Sequence, residues 1–119
     1  MNLMTRLAID PKKKEAILTA ALEEFSKEGF NANTDKIAEK AGVSKGSVFR
    51  YFGNKQKLYI AAVTQAFDTL IDNTDFNVWK DSPDFVHMVI NATRYKLTLE
   101  KRYPTEFALA MLVYTKDTK

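Results

Sequence analysis

The feature that most constrains this 119-residue chain is a pair of short helical segments separated by only Gly42-Val43-Ser44. Ile37, Ala38 and Ala41 recur at helical spacing before the glycine, and Val48 and Phe52 form an i,i+4 pair after it. Three residues leave room only for a sharp reversal. Gly42 can take the left-handed turn, Ser44 can cap the next helix, and small Ala38 and Ala41 let the two helices approach closely. Val43 is expected to fill the corner, and both Val48 and Phe52 to lie in the core. Thr34 is the expected cap of the first segment, and Gly53-Asn54 breaks the chain after the second.

Longer helices flank this pair. Ile17, Leu18, Ala21, Leu22 and Phe25 keep helical spacing between Asp10-Pro11, a cap and a first-turn proline, and Gly29, a stop. Phe30 can then fold back on that helix. From Lys55 to about Asp72, Leu58, Tyr59, Ala62, Val63, Ala66, Phe67 and Leu70 form one broad stripe. Residues 73–82 read as a connection holding Trp79. A further helix starts at Ser82-Pro83, carries Phe85, Val86, Val89, Ile90, Thr93 and Leu97 on one face, and ends at Tyr103-Pro104. A last one runs from Pro104 to about Tyr114. No stretch alternates strictly between apolar and polar residues, so the expected class is all-α.

Apolar residues at 45% and charged residues at 28% suit a chain that folds around a core. The absence of cysteine closes disulfide, thiolate-metal and thiol-nucleophile chemistry and fits a reducing compartment. The longest apolar run, Phe107 to Tyr114, is too short for a bilayer, and the first 14 residues lack the continuous apolar segment of a secretory signal. A soluble intracellular protein is expected. Net charge is only +3, but its distribution is informative: residues 1–60 hold 11 Lys/Arg against 7 Asp/Glu, and residues 61–119 hold 7 against 8. The basic excess falls on the half that contains the paired short helices, where a phosphate-facing surface would sit.

Two short helices joined by a tight turn are the geometry that sends one helix into a DNA major groove while the other crosses the backbone. Thr34, Ile37-Ala38, Ala41-Gly42-Val43-Ser44, Gly46, Tyr51-Phe52, Lys55 and Leu58 together resemble the tetracycline-repressor (TetR) family signature. The resemblance covers about Ala16 to Leu70. It implies a three-helix helix-turn-helix DNA-binding domain at residues 1–54. A long linking helix would join this to a helical ligand-binding and dimerisation domain over residues 55–119, incomplete at this length. By the same resemblance Thr34 holds a backbone phosphate, beside its plainer role as a cap. Ser44, Lys45, Gly46 and Ser47 form the first turn of the recognition helix, Lys45 as a donor to guanine and Gly46 as the point of close backbone approach. Arg50 is a candidate for base or phosphate, against the plainer reading of an exposed helix charge. Tyr51 and Lys55 match positions that grip phosphate. Phe49 stands where many members have tyrosine, so only an aromatic edge is left to meet a thymine methyl.

The resemblance further implies a bacterial cytosolic regulator associated with the nucleoid, acting as a homodimer on a palindromic operator in double-stranded DNA. A repressor released by a small-molecule effector is the expected mode. Phe67, Trp79, Phe85, Met88, Met111 and Tyr114 are candidates for an effector pocket, or else half of an unfinished core. Family members continue for several more helices, so the expectation is a fragment or a short relative whose later apolar faces lie uncovered. His87, the one histidine, has no second ligand at i+3 or i+4, and Glu23 and Glu24 read as solvated acids on a polar face. Neither metal, cofactor, membrane partner nor catalysis is expected. A helical protein-interaction module with a purely structural motif is the alternative.

Overall fold

The computed structural model describes residues 10–117, and all of their side chains except those of residues 78, 79, 116 and 117. The described residues form helices and connections, with no strand among them: α1 (Pro11–Glu28), a 3-10 turn (Gly29–Asn31), α2 (Thr34–Ala41), α3 (Lys45–Phe52), α4 (Lys55–Asp72), the single turn α5 (Asn77–Lys80), α6 (Phe85–Arg102) and α7 (Pro104–Asp117).

Each boundary has a local cause. Asp10 caps α1 by accepting from the Lys12 amide at 2.9 Å, Pro11 follows it, and the Gly29 amide closes the far end on the Phe25 carbonyl. The cap of α2 is Asn33, whose Oδ1 accepts from the Asp35 amide at 2.8 Å, so Thr34 is the first helical residue rather than the cap. Asn54 caps α4 through the Lys57 amide at 2.8 Å, and Asp84 caps α6 through that of His87 at 2.8 Å. Residues 73–82 are not all connection, because Asn77–Lys80 closes one helical turn.

The core gathers Ile17, Ala21 and Phe25 of α1, Ile37 of α2, Val48 of α3, Leu58, Ala62 and Ala66 of α4, and Leu109 of α7, all fully buried. Leu109 shows that α7 returns to lie across α1 and α4. Each large aliphatic or aromatic side chain so buried contributes about 1.5–3 kcal/mol. Phe52, expected inside, is only half-buried at the end of α3, where the Lys14 ammonium lies 5.8 Å from its ring centroid.

A buttress ties α1 to α2. Lys40 Nζ donates to Glu24 Oε2 at 2.9 Å and to Glu23 Oε2 at 3.3 Å. Glu24, expected in solvent, is 6% exposed. The hydrogen bond from Lys40 holds its carboxyl below the usual glutamate value against the opposing effect of burial, and the same bond raises Lys40. Paired in this way, the buried acid stabilises where alone it would cost free energy.

Helix α6 turns Met88, Asn91, Ala92, Tyr95 and Leu99 toward the protein, each half-buried. The Tyr95 hydroxyl donates to the Asn73 carbonyl and accepts from the Asp75 amide at 2.7 Å, pinning α6 to the chain that leaves α4. The other face, with Phe85 (72% exposed), Val86, Val89, Ile90 and Leu97, is open to solvent. No described helix is long and apolar enough to cross a membrane.

Candidate nucleic-acid interface

The turn between α2 and α3 is fixed by backbone bonds. Gly42 is left-handed (φ 73°, ψ 30°). Its amide reaches the Glu39 carbonyl at 3.1 Å, and the Val43 amide reaches that of Ala38 at 3.0 Å. This pair of bonds is a Schellman closure, completed by Val43 packing on the core. Ser44, extended at φ −76° and ψ 157°, caps α3 by accepting from the Ser47 amide at 3.1 Å. Val48 anchors α3 inward, which leaves Lys45, Gly46 and Arg50 exposed and Ser47 partly so.

Lys45 occupies the first position of α3, where a cation opposes the helix dipole. Asp35, in the first turn of α2, offsets that charge at 3.6 Å from Lys45 Nζ. This partner went unforeseen, because residues ten apart become neighbours only through the turn. Gly46 has an equally informative surrounding: a Cβ built there would meet only Ser44 Oγ, at 3.9 Å. Nothing among the described residues requires glycine at this helical position.

Arg50 lies with its guanidinium carbon 5.7 Å from the Tyr51 ring centroid, and Tyr51 is half-buried. Phe49 is also half-buried and leans on the core. Lys55, the first residue of α4, holds its ammonium 4.9 Å from the centroid of Phe30. Thr34 is nearly buried at the start of α2. Of the pocket candidates, Met88 lines a shallow apolar groove with Val89, Ala92 and Thr93. Phe85 and Tyr114 turn most of their surface to solvent, and Phe67 and Met111 more than a third. The Trp79 side chain lies outside those described. His87 Nδ1 is 2.8 Å from Asp84 Oδ1, a local pair at the start of α6.

Two short helices locked by a capped three-residue turn, the second anchored inward by one valine and charged outward, define a helix-turn-helix protein. Residues 17–62 of the chain match the family described as bacterial regulatory proteins, tetR family. The chain is 37% identical over 93 residues to the HTH-type transcriptional regulator RutR of Escherichia coli K12, covering 77% of this chain and 43% of the relative. It is 41% identical over 69 residues to the uncharacterized HTH-type transcriptional regulator YvkB of Bacillus subtilis, covering 55% and 36%. With the HTH-type transcriptional activator FasR of Mycolicibacterium smegmatis it shares 37% over 67 residues, covering 56% and 30%. The chain thus spans less than half the length of these curated relatives.

Proposed function

We propose that this chain supplies the DNA-binding part of a bacterial transcriptional regulator, with α3 entering the major groove and α2 crossing the backbone. The observation that carries the reading is Gly46. A glycine in a helix costs stability relative to alanine, and here no contact among the described residues repays that cost. A surface that must meet another backbone closely is the natural place for it. Around Gly46, Lys45 and Arg50 supply donors for base edges or phosphate. Tyr51, Lys55 and the start of α2 at Thr34 supply phosphate contacts, and Ser44, Ser47 and Phe49 line the approach.

Residues 1–54 form the DNA-reading unit in this proposal, and residues 55–119 open a helical effector and dimerisation domain. Two copies would place recognition helices about 34 Å apart on a palindromic site, and an effector held by the second half would release the operator by favouring another spacing. The activator name of one relative and the regulator names of the others belong to those proteins. Here we take repression as the mode, a regulator and not an enzyme, acting in the cytosol. Footprinting on the DNA beside its own gene tests the site. Lys45→Ala and Tyr51→Ala should each weaken protection while leaving the helical fold intact, and full protection by both variants would remove these residues from the interface.

The open face of α6 supports a second reading, a helical interaction module whose helix-turn-helix is structural. It predicts a stable hetero-oligomer and no salt-sensitive affinity for DNA.

A further inference from the structure

Phe30 is a large apolar side chain left 42% exposed, and the packing around it gives a reason. Its ring meets Tyr59 edge-on, with centroids 5.3 Å apart and planes at 84°. Tyr59 in turn meets Phe25 edge-on at 5.0 Å and 86°. Phe25 is fully buried. The three rings form a column that rises from the core, through α1 and α4, to the 3-10 turn. On its outer end rests the Lys55 ammonium, 4.9 Å from the Phe30 centroid.

The kind of partner matters. Lys27 and Lys40 meet the carboxylates of α1, and Lys45 meets Asp35, so each of those charges is neutralised within the fold. Among the described residues no carboxylate lies within ion-pair distance of Lys55. A ring face attracts an ammonium through its quadrupole without cancelling its charge. Lys55 is therefore held in place yet keeps its full charge for an outside anion, at the start of α4, where the helix dipole also favours an anion. Burial of Phe25 fixes the base of the column, so the position of the ammonium is set by the core.

We propose that Phe30 is a positioning residue of the nucleic-acid interface, holding the Lys55 ammonium uncancelled for one backbone phosphate. The proposal rests on the DNA-binding reading above and adds to it a residue assigned there no role. The test is fluorescence anisotropy with the 119-residue chain and a mixed-sequence duplex about 30 base pairs long, titrated over a range of salt, since phosphate contacts are sequence-independent. Phe30→Leu keeps an apolar side chain but removes the ring. It should weaken binding about two- to fivefold at low salt. The slope of log affinity against log salt should also become shallower, by up to about 0.9. Phe30→Tyr should restore both. In a Lys55→Met background, Phe30→Leu should cost nothing further. An equal loss in that background, or no loss in the parent, overturns the assignment while DNA binding stands. Absence of salt-sensitive binding by the parent chain removes both.

Discussion

Lys45 and Asp35 are ten residues apart in sequence and 3.6 Å apart in space, and their pairing sets an electrostatic condition on α3, the proposed recognition helix. The lysine proposed to meet a base is paired with this anion within the fold. Both side chains are well exposed, so the pair is worth no more than about 1 kcal/mol and is screened by salt. In the proposed complex DNA would displace or share it.

Asp35→Asn should therefore strengthen DNA binding. The expected gain is about two- to fivefold at low salt, shrinking as salt rises. Affinity measured at several ionic strengths decides the matter, and unchanged or weaker binding would show that the carboxylate does not restrain Lys45.

Gly46→Ala separates stability from function. Alanine fits the space, because the added methyl meets only Ser44 Oγ at 3.9 Å, and it should stabilise the fold by about 0.4–1 kcal/mol. The same methyl should weaken DNA binding by obstructing close approach. Thermal melts and footprinting on one preparation give both quantities, and a more stable variant that binds as well as the parent would end the case for Gly46.

The Glu24–Lys40 buttress carries a signed pH dependence. The Glu24 carboxyl is lowered, so its contribution is present above the ordinary glutamate value of 4.5 and is lost as pH falls through the lower folded value. Lys40 is raised, so its share is present below the unfolded lysine value of 10.5 and fades as pH rises through the higher folded one. Glu24→Gln should cost about 1 kcal/mol near neutrality and flatten the acid limb of stability. Melting temperatures from about pH 3 to 7 measure this, and an acid limb as steep as the parent's would assign the loss to other carboxylates.

The open face of α6 should make the 119-residue chain self-associate. Phe85, Val86, Val89, Ile90 and Leu97 form one arc of exposed apolar surface. Sedimentation should show mass rising with concentration, and Val89→Asp combined with Leu97→Asp should abolish the rise. A parent chain that stays monomeric throughout would place the hydrophobic liability elsewhere.

The parts of this fold that were legible in sequence are those with local causes. Asp10, Gly29, Gly42 and Ser44 act on amides and carbonyls a few residues away, and the structure has them in their expected roles. Thr34 misled because Asn33 beside it caps equally well, and only the observed backbone decides which side chain reaches the amide. Glu24 misled because its partner is 16 residues away. Phe85 to Leu97 form the expected stripe, but a stripe alone does not state whether anything covers it. Periodicity equally gave Lys45 no sign of Asp35, and Phe30 no sign of the cation above it.

Leu109 sits in the same core as Ile17, Val48 and Ala66, and this bears on how a message could pass along the chain. A close-packed interior resists gradual deformation, so α7 cannot slide by a fraction of an ångström without opening a void beside α1 or displacing it. Leu109, with the buried Ala110 and the core-facing Val113 beside it, gears α7 to the helices of the first half. Packing of that kind passes any displacement of α7 on to α1 and α4 in steps rather than by degrees, and Leu109 lies where the three helices meet.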